Sequence, residues 1–146
     1  MTQTHDKTYL GIDYGTRRIG LAKSDPTGLI ASPLTTIEVN DRQDALDKIS
    51  EIIKEREPAG VVVGYPLSLS GEKSSKCREV DRFIEQLRKT YNGSIYRVDE
   101  RLSTAEAQRV IHAHGKRVGQ DKKRLDRLAA AIILQQFLDE RRQRES

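Results

Sequence analysis

The segment Leu10-Gly11-Ile12-Asp13-Tyr14-Gly15-Thr16-Arg17-Arg18-Ile19-Gly20-Leu21-Ala22 constrains this chain more than any other. Apolar residues alternate up to a carboxylate, the chain turns at a glycine, and the alternation resumes. Leu10 and Ile12 share one strand face, as do Ile19 and Leu21 after the turn. The spacing predicts strands over about residues 8–14 and 17–24, paired as an antiparallel hairpin because the connection is too short for a crossover. Asp13 then ends a central strand, where an acid is costly unless it is paired, hydrated or bound to a metal.

The remaining elements follow from periodicity and turn chemistry. Asp25-Pro26-Thr27-Gly28 is a turn, and residues 29–39 form a third strand interrupted by Pro33. Asp41 caps a helix that places Ala45, Ile49, Ile52 and Ile53 on one face and ends at Pro58 and Gly60. Val61-Val62-Val63 reads as a parallel strand covered on both faces. A Gly/Pro/Ser-rich loop over 64–75 leads to a helix over about 72–90 that buries Cys77, Val80, Phe83, Ile84 and Leu87. A strand over 94–98 precedes Asp99-Glu100-Arg101. Ser103-Thr104-Ala105-Glu106 is a capping box that starts a helix to about Ala113. A basic loop over 112–120 and a last helix over about 121–142 complete the chain. A three-strand antiparallel start feeding βα units is a mixed α/β sheet with helices on both faces.

At 146 residues, without linker or repeat, the whole chain (1–146) reads as one domain. Hydrophobic and charged residues make up 36% and 33%, the balance of a soluble globular protein. No run of about 18 apolar residues is present to span a membrane. Residues 1–7 carry no signal-peptide core. Cys77 is the single cysteine, which excludes an internal disulfide and a cysteine-based zinc site. These readings place the protein in a reducing cytoplasm, with no membrane partner. The net charge of +4 is unevenly spread: Lys116, Arg117, Lys122, Lys123, Arg124 and Arg127 are opposed locally only by Asp121 and Asp126. Such clustering suits a polyanionic partner, although a solvated helix face has the same composition.

Three carboxylates stand in costly positions. Asp13 closes the first strand, Glu100 follows the last, and Asp126 heads an apolar helical stripe of Ala129, Ala130, Ile133 and Phe137. Singly, each has a local explanation: an Asx turn for Asp13, an ion pair with Arg101 for Glu100, and a partner among Lys122, Lys123 or Arg17 for Asp126. Together they suggest a site, because ligands gather at the carboxyl ends of parallel strands. Converging carboxylates suit a hard divalent cation such as Mg²⁺. Two such ions about 3.5–4 Å apart serve phosphodiester displacement. Asp99 competes with Glu100, but alternation sends the two side chains to opposite faces, so at most one points at Asp13.

The opening motif, the loop from Gly64-Tyr65-Pro66-Leu67 through Gly71, the stretch Val98-Asp99-Glu100-Arg101-Leu102-Ser103-Thr104-Ala105-Glu106-Ala107, and Asp126-Arg127-Leu128-Ala129-Ala130 through Ile133-Leu134-Gln135 together resemble the YqgF-type proteins. Those are RNase H-like proteins described both as pre-16S rRNA nucleases and as Holliday junction resolvases. The resemblance spans nearly the whole chain and implies an RNase H-like fold, a five-stranded mixed sheet of order 3-2-1-4-5. It also implies that Asp13, Glu100 and Asp126 are the catalytic, metal-binding acids, with Mg²⁺ or Mn²⁺ as one or two ions. The reaction implied is phosphodiester hydrolysis leaving a 5′-phosphate. Tyr65 departs from the family, where an aliphatic residue is common, and is expected to alter substrate contact in its loop.

Around these acids, Arg17, Arg18, Arg101, Lys116, Arg117, Lys122, Lys123 and Arg124 are the candidate nucleic-acid-binding residues. Ser68, Ser70, Ser74 and Ser75 flank a helix start that suits an anion, and serve equally well as loop and cap residues. Lys23 and Lys122 are further charge-stabilising candidates, while His112 and His114 lack partners for a zinc site. The expected activity is maturation of the 5′ end of pre-16S rRNA, on free precursor or pre-ribosomal particles. Alternatives are resolution of branched DNA, which asks for a homodimer where RNA processing allows a monomer, and a non-catalytic nucleic-acid-binding role. An actin-type or sugar-kinase-type ATP lobe shares the Ile-Asp-x-Gly-Thr turn but needs two lobes around its nucleotide.

Overall fold

The computed structural model describes residues 8–68, 70–100 and 122–145. Five strands form one sheet: β1 (Tyr9–Asp13), β2 (Arg18–Ser24), β3 (Ala31–Glu38), β4 (Gly60–Tyr65) and β5 (Ser94–Asp99), in the order β3-β2-β1-β4-β5. β1 pairs antiparallel with β2, and β2 with β3. β4 runs parallel to both β1 and β5. This is the mixed 3-2-1-4-5 sheet expected from the sequence. Pro33 fits because β3 is an edge strand and the register shifts opposite it, between Leu21 and Ala22.

Helices α1 (Arg42–Arg56) and α2 (Ser75–Leu87) cover one face of the sheet, and α3 (Lys122–Glu145) crosses the other. Strand alternation divides the residues cleanly. Leu10, Ile12, Ile19, Leu21, Val61, Val63 and Ile95 pack with α1 and α2. Tyr9, Ala22, Val62 and Val98 meet Ala130, Ile133, Leu134 and Phe137 of α3. The α3 stripe thus holds, with Leu134 and Leu138 buried in addition and Ala129 only half-buried. In α1, Leu46 takes the buried place expected for Ile52, which is half-buried.

Helix boundaries follow their caps. The Asp41 carboxylate accepts from Asp44 N–H (2.8 Å) and starts α1, whose end is a left-handed Glu57 (φ 47°). α2 begins at Ser75 rather than at 72, because Ser74 is its cap and Glu72 is turned back, its carbonyl accepting from Ser68 N–H. It ends at Leu87 rather than at 90, the chain leaving through a turn. The helix expected from Ser103 and the basic loop over 112–120 lie outside the described residues. No described helix is long and apolar enough to cross a membrane.

Candidate active site

Asp13 ends β1 on the α3 side of the sheet, directly opposite Gly20 of β2. Tyr14 follows on the other side and packs on Phe83 of α2, with ring centroids 4.5 Å apart. The turn carrying Asp13 is thereby held from both faces. Burial pushes the Asp13 carboxyl up to about 7, with the charges of Glu100 and then Asp126 adding to the effect and Lys76 opposing it. An acid raised this far has like-charged neighbours and too little compensation.

Glu100 reaches Asp13 through the same alternation. Val98 packs against α3 and Glu100, two residues on, keeps that direction. Asp99 takes the opposite direction, in register with Tyr65. The Glu100 side chain lies across Gly64 of β4, where a Cβ would collide with its Oε1 and would stand 2.7 Å from Ile133 Cδ1. Only glycine leaves this passage open. Burial raises the Glu100 carboxyl above the usual carboxylate range, Lys76 opposes the rise and Asp99 adds to it. Of the two adjacent acids, Glu100 is therefore the one that shares a cavity with Asp13. That cavity, of about 300 Å³, is lined among others by Asp13, Gly15, Thr16, Gly64, Lys76 and Glu100.

Asp126 comes to the same edge on α3. Its backbone carbonyl lies directly over Gly20, the cross-strand neighbour of Asp13, so closely that a Cβ on Gly20 would overlap it. Its carboxylate, however, accepts a 2.6 Å charge-assisted hydrogen bond from Arg18 Nε. The partner expected among Lys122, Lys123 or Arg17 is thus Arg18: β2 alternation points Arg18 at α3, while Arg17 is exposed. Lys123 is committed to Glu38 (2.9 Å). Asp126 is not among the residues lining the Asp13–Glu100 cavity. Among the described residues, no three His, Cys, Asp or Glu side chains are drawn close enough to hold one ion.

Lys122, Lys123 and Arg124 are exposed at the start of α3, on the same flank as Arg18 and Asp126. Arg101, Lys116, Arg117, His112 and His114 lie outside the described residues. Lys23 pairs with Leu10, at the far end of the sheet from Asp13. Ser68 and Ser70 bond each other (2.9 Å), and Ser74 caps α2 while donating to the Pro66 carbonyl (3.1 Å), so these serines do loop and cap work. Tyr65, expected to alter substrate contact in its loop, ends β4 with its side chain buried. It faces α2, where its hydroxyl donates to Asp81 (2.9 Å) and Arg97 pairs with the other carboxylate oxygen (3.1 Å).

Sequence reasoning missed Lys76, the basic residue in the lining of the carboxylate cavity. No sequence signal marks it: only the start of α2 at Ser75, not at 72, puts this lysine in a first turn that holds no acid.

A 3-2-1-4-5 mixed sheet with helices on both faces, and two strand-end acids sharing a cavity, is the arrangement of an RNase H-like nuclease. The RuvX family profile, described as Holliday junction resolvase, matches residues 7–140. The chain belongs to that family, and its resemblance to YqgF-type proteins holds. A protein of Roseiflexus sp. (strain RS-1), 41% identical over 91% of this chain and 94% of its own length, bears the name "Putative pre-16S rRNA nuclease". A protein of Synechococcus elongatus, 43% identical over 92% of this chain and 90% of its own, bears the same name. Among solved structures, T. thermophilus RuvC in complex with Holliday junction substrate is similar with a TM-score of 0.65 at 16% identity, covering 94% of this chain and 96% of that one. The fowlpox virus Holliday junction resolvase is similar with a TM-score of 0.57 at 11% identity, covering 91% and 98%. At these identities the structures establish the shared fold.

Proposed function

We propose that this chain is a divalent-metal-dependent nuclease of the cytoplasm that hydrolyses phosphodiester bonds at the 5′ end of precursor 16S rRNA, free or in pre-ribosomal particles. The observation that carries the reading is the meeting of Asp13 and Glu100, from the ends of two strands, in one cavity beside the α3 position of Asp126.

The donor set fits a hard cation. All three groups are carboxylates, and Asp13 is raised to about 7 by burial and by the other two acids, an electrostatic deficit that a Mg²⁺ or Mn²⁺ ion removes. Asp13 and Glu100 would hold it, joined by Asp126 once that side chain leaves Arg18. Held there, a divalent ion would supply an activated water and charge stabilisation at the scissile phosphate.

The chain's own residues do the rest. Gly64 leaves room for the Glu100 carboxylate to lie across β4, and Gly15 lets the turn after Asp13 close on the Arg18 backbone. Arg17, Arg18 and the basic start of α3, Lys122, Lys123 and Arg124, would supply the positive charge that a phosphate chain needs, and Arg101, Lys116 and Arg117 are further candidates by sequence. The products are a 3′-hydroxyl and a 5′-phosphate.

The second reading is resolution of a four-way DNA junction, favoured by the family description. It requires two copies of the site related by a two-fold axis, whereas the RNA reading needs one. A side-by-side cleavage assay with Mg²⁺ or Mn²⁺ on a pre-16S rRNA fragment and on a four-way junction decides between them. Cleavage of the RNA that Asp13→Asn abolishes supports the proposal. Cleavage of the junction alone moves the assignment to the second reading, and cleavage untouched by Asp13→Asn removes the carboxylate mechanism.

A further inference from the structure

The cavity shared by Asp13 and Glu100 has an asymmetry of charge that the carboxylate chemistry leaves unused. Asp13, Glu79 and Glu100 line it with negative charge, and Lys76 is the basic residue in that lining. Lys76 makes no hydrogen bond or ion pair among the described residues, although Glu79 stands three residues on along the same helix and two further acids share its cavity. Its side chain is exposed at the cavity mouth. It also sits in the first turn of α2, where a cation opposes the helix dipole and where first turns usually carry acids. Neither packing nor capping sets this ammonium here; its charge faces Asp13 and Glu100, whose upward shifts it opposes. Ser74 already caps the helix and Cys77 and Val80 already anchor it.

Direction adds to this. Arg18 and Asp126 approach the sheet edge from the α3 face, whereas Lys76 approaches from α2, across the cavity. A phosphodiester entering between Gly15 and Gly64 would meet the carboxylates on one side and Lys76 on the other.

We propose that Lys76 is a catalytic residue of this site, its ammonium donating to a non-bridging oxygen of the phosphodiester that lies against Asp13 and Glu100. The assignment rests on the nuclease reading above. No proton is transferred in this step; the contribution of the lysine is charge balance as negative charge builds on the phosphate oxygens.

The test compares wild type, Lys76→Gln and Lys76→Arg with whichever of the two substrates wild type cleaves, alongside Mn²⁺ binding to the nucleic-acid-free proteins. Lys76→Gln lowers single-turnover cleavage at saturating protein by about a hundredfold, the usual effect of losing one oxyanion donor. Lys76→Arg restores most of it. The slope of log affinity against log salt falls by about 0.7–0.9 in Lys76→Gln, one phosphate contact, and Mn²⁺ binds this variant at least as tightly as wild type. Full activity of Lys76→Gln beside an active wild type overturns the assignment alone. Weakened Mn²⁺ binding in Lys76→Gln overturns it too, since the lysine would then act through the metal site. A wild type that cleaves neither substrate overturns the nuclease reading and this assignment with it.

Discussion

Arg18 and Asp126 lie 108 residues apart in the chain and meet at 2.6 Å across the edge of the sheet. The pair joins the first residue of β2 to the second turn of α3, one strand away from Asp13. Arg18 therefore stands where a cation is wanted, and it holds the third acid outside the cavity that the other two line. In the absence of an ion it is the counter-charge for Asp126.

This relationship predicts competition between Arg18 and a divalent ion for the same carboxylate. Arg18→Met removes the competitor, so Mn²⁺ binds more tightly to the variant than to wild type in calorimetric titrations without nucleic acid. The metal-free variant melts at a slightly lower temperature, because Asp126 loses its partner. Weaker Mn²⁺ binding in Arg18→Met would show that Arg18 positions Asp126 for the ion instead of competing with it.

Asp13 predicts a pH dependence of stability. Its carboxyl titrates near 7 in the folded, metal-free protein against 3.8 for an unperturbed group, so the folded state holds the proton more tightly than the unfolded state. The contribution of Asp13 to stability is undiminished below pH 3.8, declines as pH rises from 3.8 to about 7, and is flat above. At most roughly 4 kcal/mol is involved, since each tenfold gain in proton affinity corresponds to about 1.4 kcal/mol. Asp13→Asn should therefore be more stable than wild type at pH 8 in EDTA, and the gain should shrink at pH 5, as read by urea unfolding. Mg²⁺ stabilises wild type more at pH 8 than at pH 6, because protons and the ion compete. A wild type whose stability relative to Asp13→Asn does not fall between pH 5 and 8 would exclude the charge crowding at this site.

Gly64 predicts a separation of folding from activity. An alanine there needs the space occupied by the Glu100 carboxylate, the mobile end of a side chain, and meets Ile133 Cδ1 at 2.7 Å. Gly20→Ala instead collides with the Asp126 backbone, which cannot yield without moving α3. Overpacking of this kind typically costs about 1–3 kcal/mol. Gly64→Ala is expected at the low end of that range with cleavage strongly reduced, and Gly20→Ala at the high end. Thermal melts and cleavage rates measured on both variants decide this, and a Gly64→Ala protein with full activity would show that Glu100 need not lie across β4.

The fold was legible because its signals are periodic. Alternation in β1 and β2, the triple valine of β4 and the helical spacing of Val80, Phe83, Ile84 and Leu87 each identify a buried face directly. Alternation also separates Glu100 from Asp99, a distinction the structure places on opposite faces of β5. The choice of Arg18 over Arg17 follows from the same rule, but only once the β2 register is known, because slipping one residue exchanges the two faces. Lys76 was illegible for a different reason. Its place in the cavity depends on where α2 begins, and that depends on Ser74 rather than an earlier residue acting as the cap.

Tyr65 carries the last prediction. An unusual residue in a motif invites a functional reading, yet its side chain is buried on the α2 face, and its hydroxyl serves Asp81 together with Arg97. Burial, and then the bond to Asp81, push its phenol up to about 12, so it stays protonated and donates at any working pH. Tyr65→Phe removes one hydrogen bond while Arg97 still holds Asp81, a loss of about 1 kcal/mol in unfolding free energy. Cleavage should be unchanged, because the ring faces away from Asp13 and Glu100. A Tyr65→Phe protein of normal stability but reduced turnover would instead place this residue in contact with substrate, against the direction its strand position gives it.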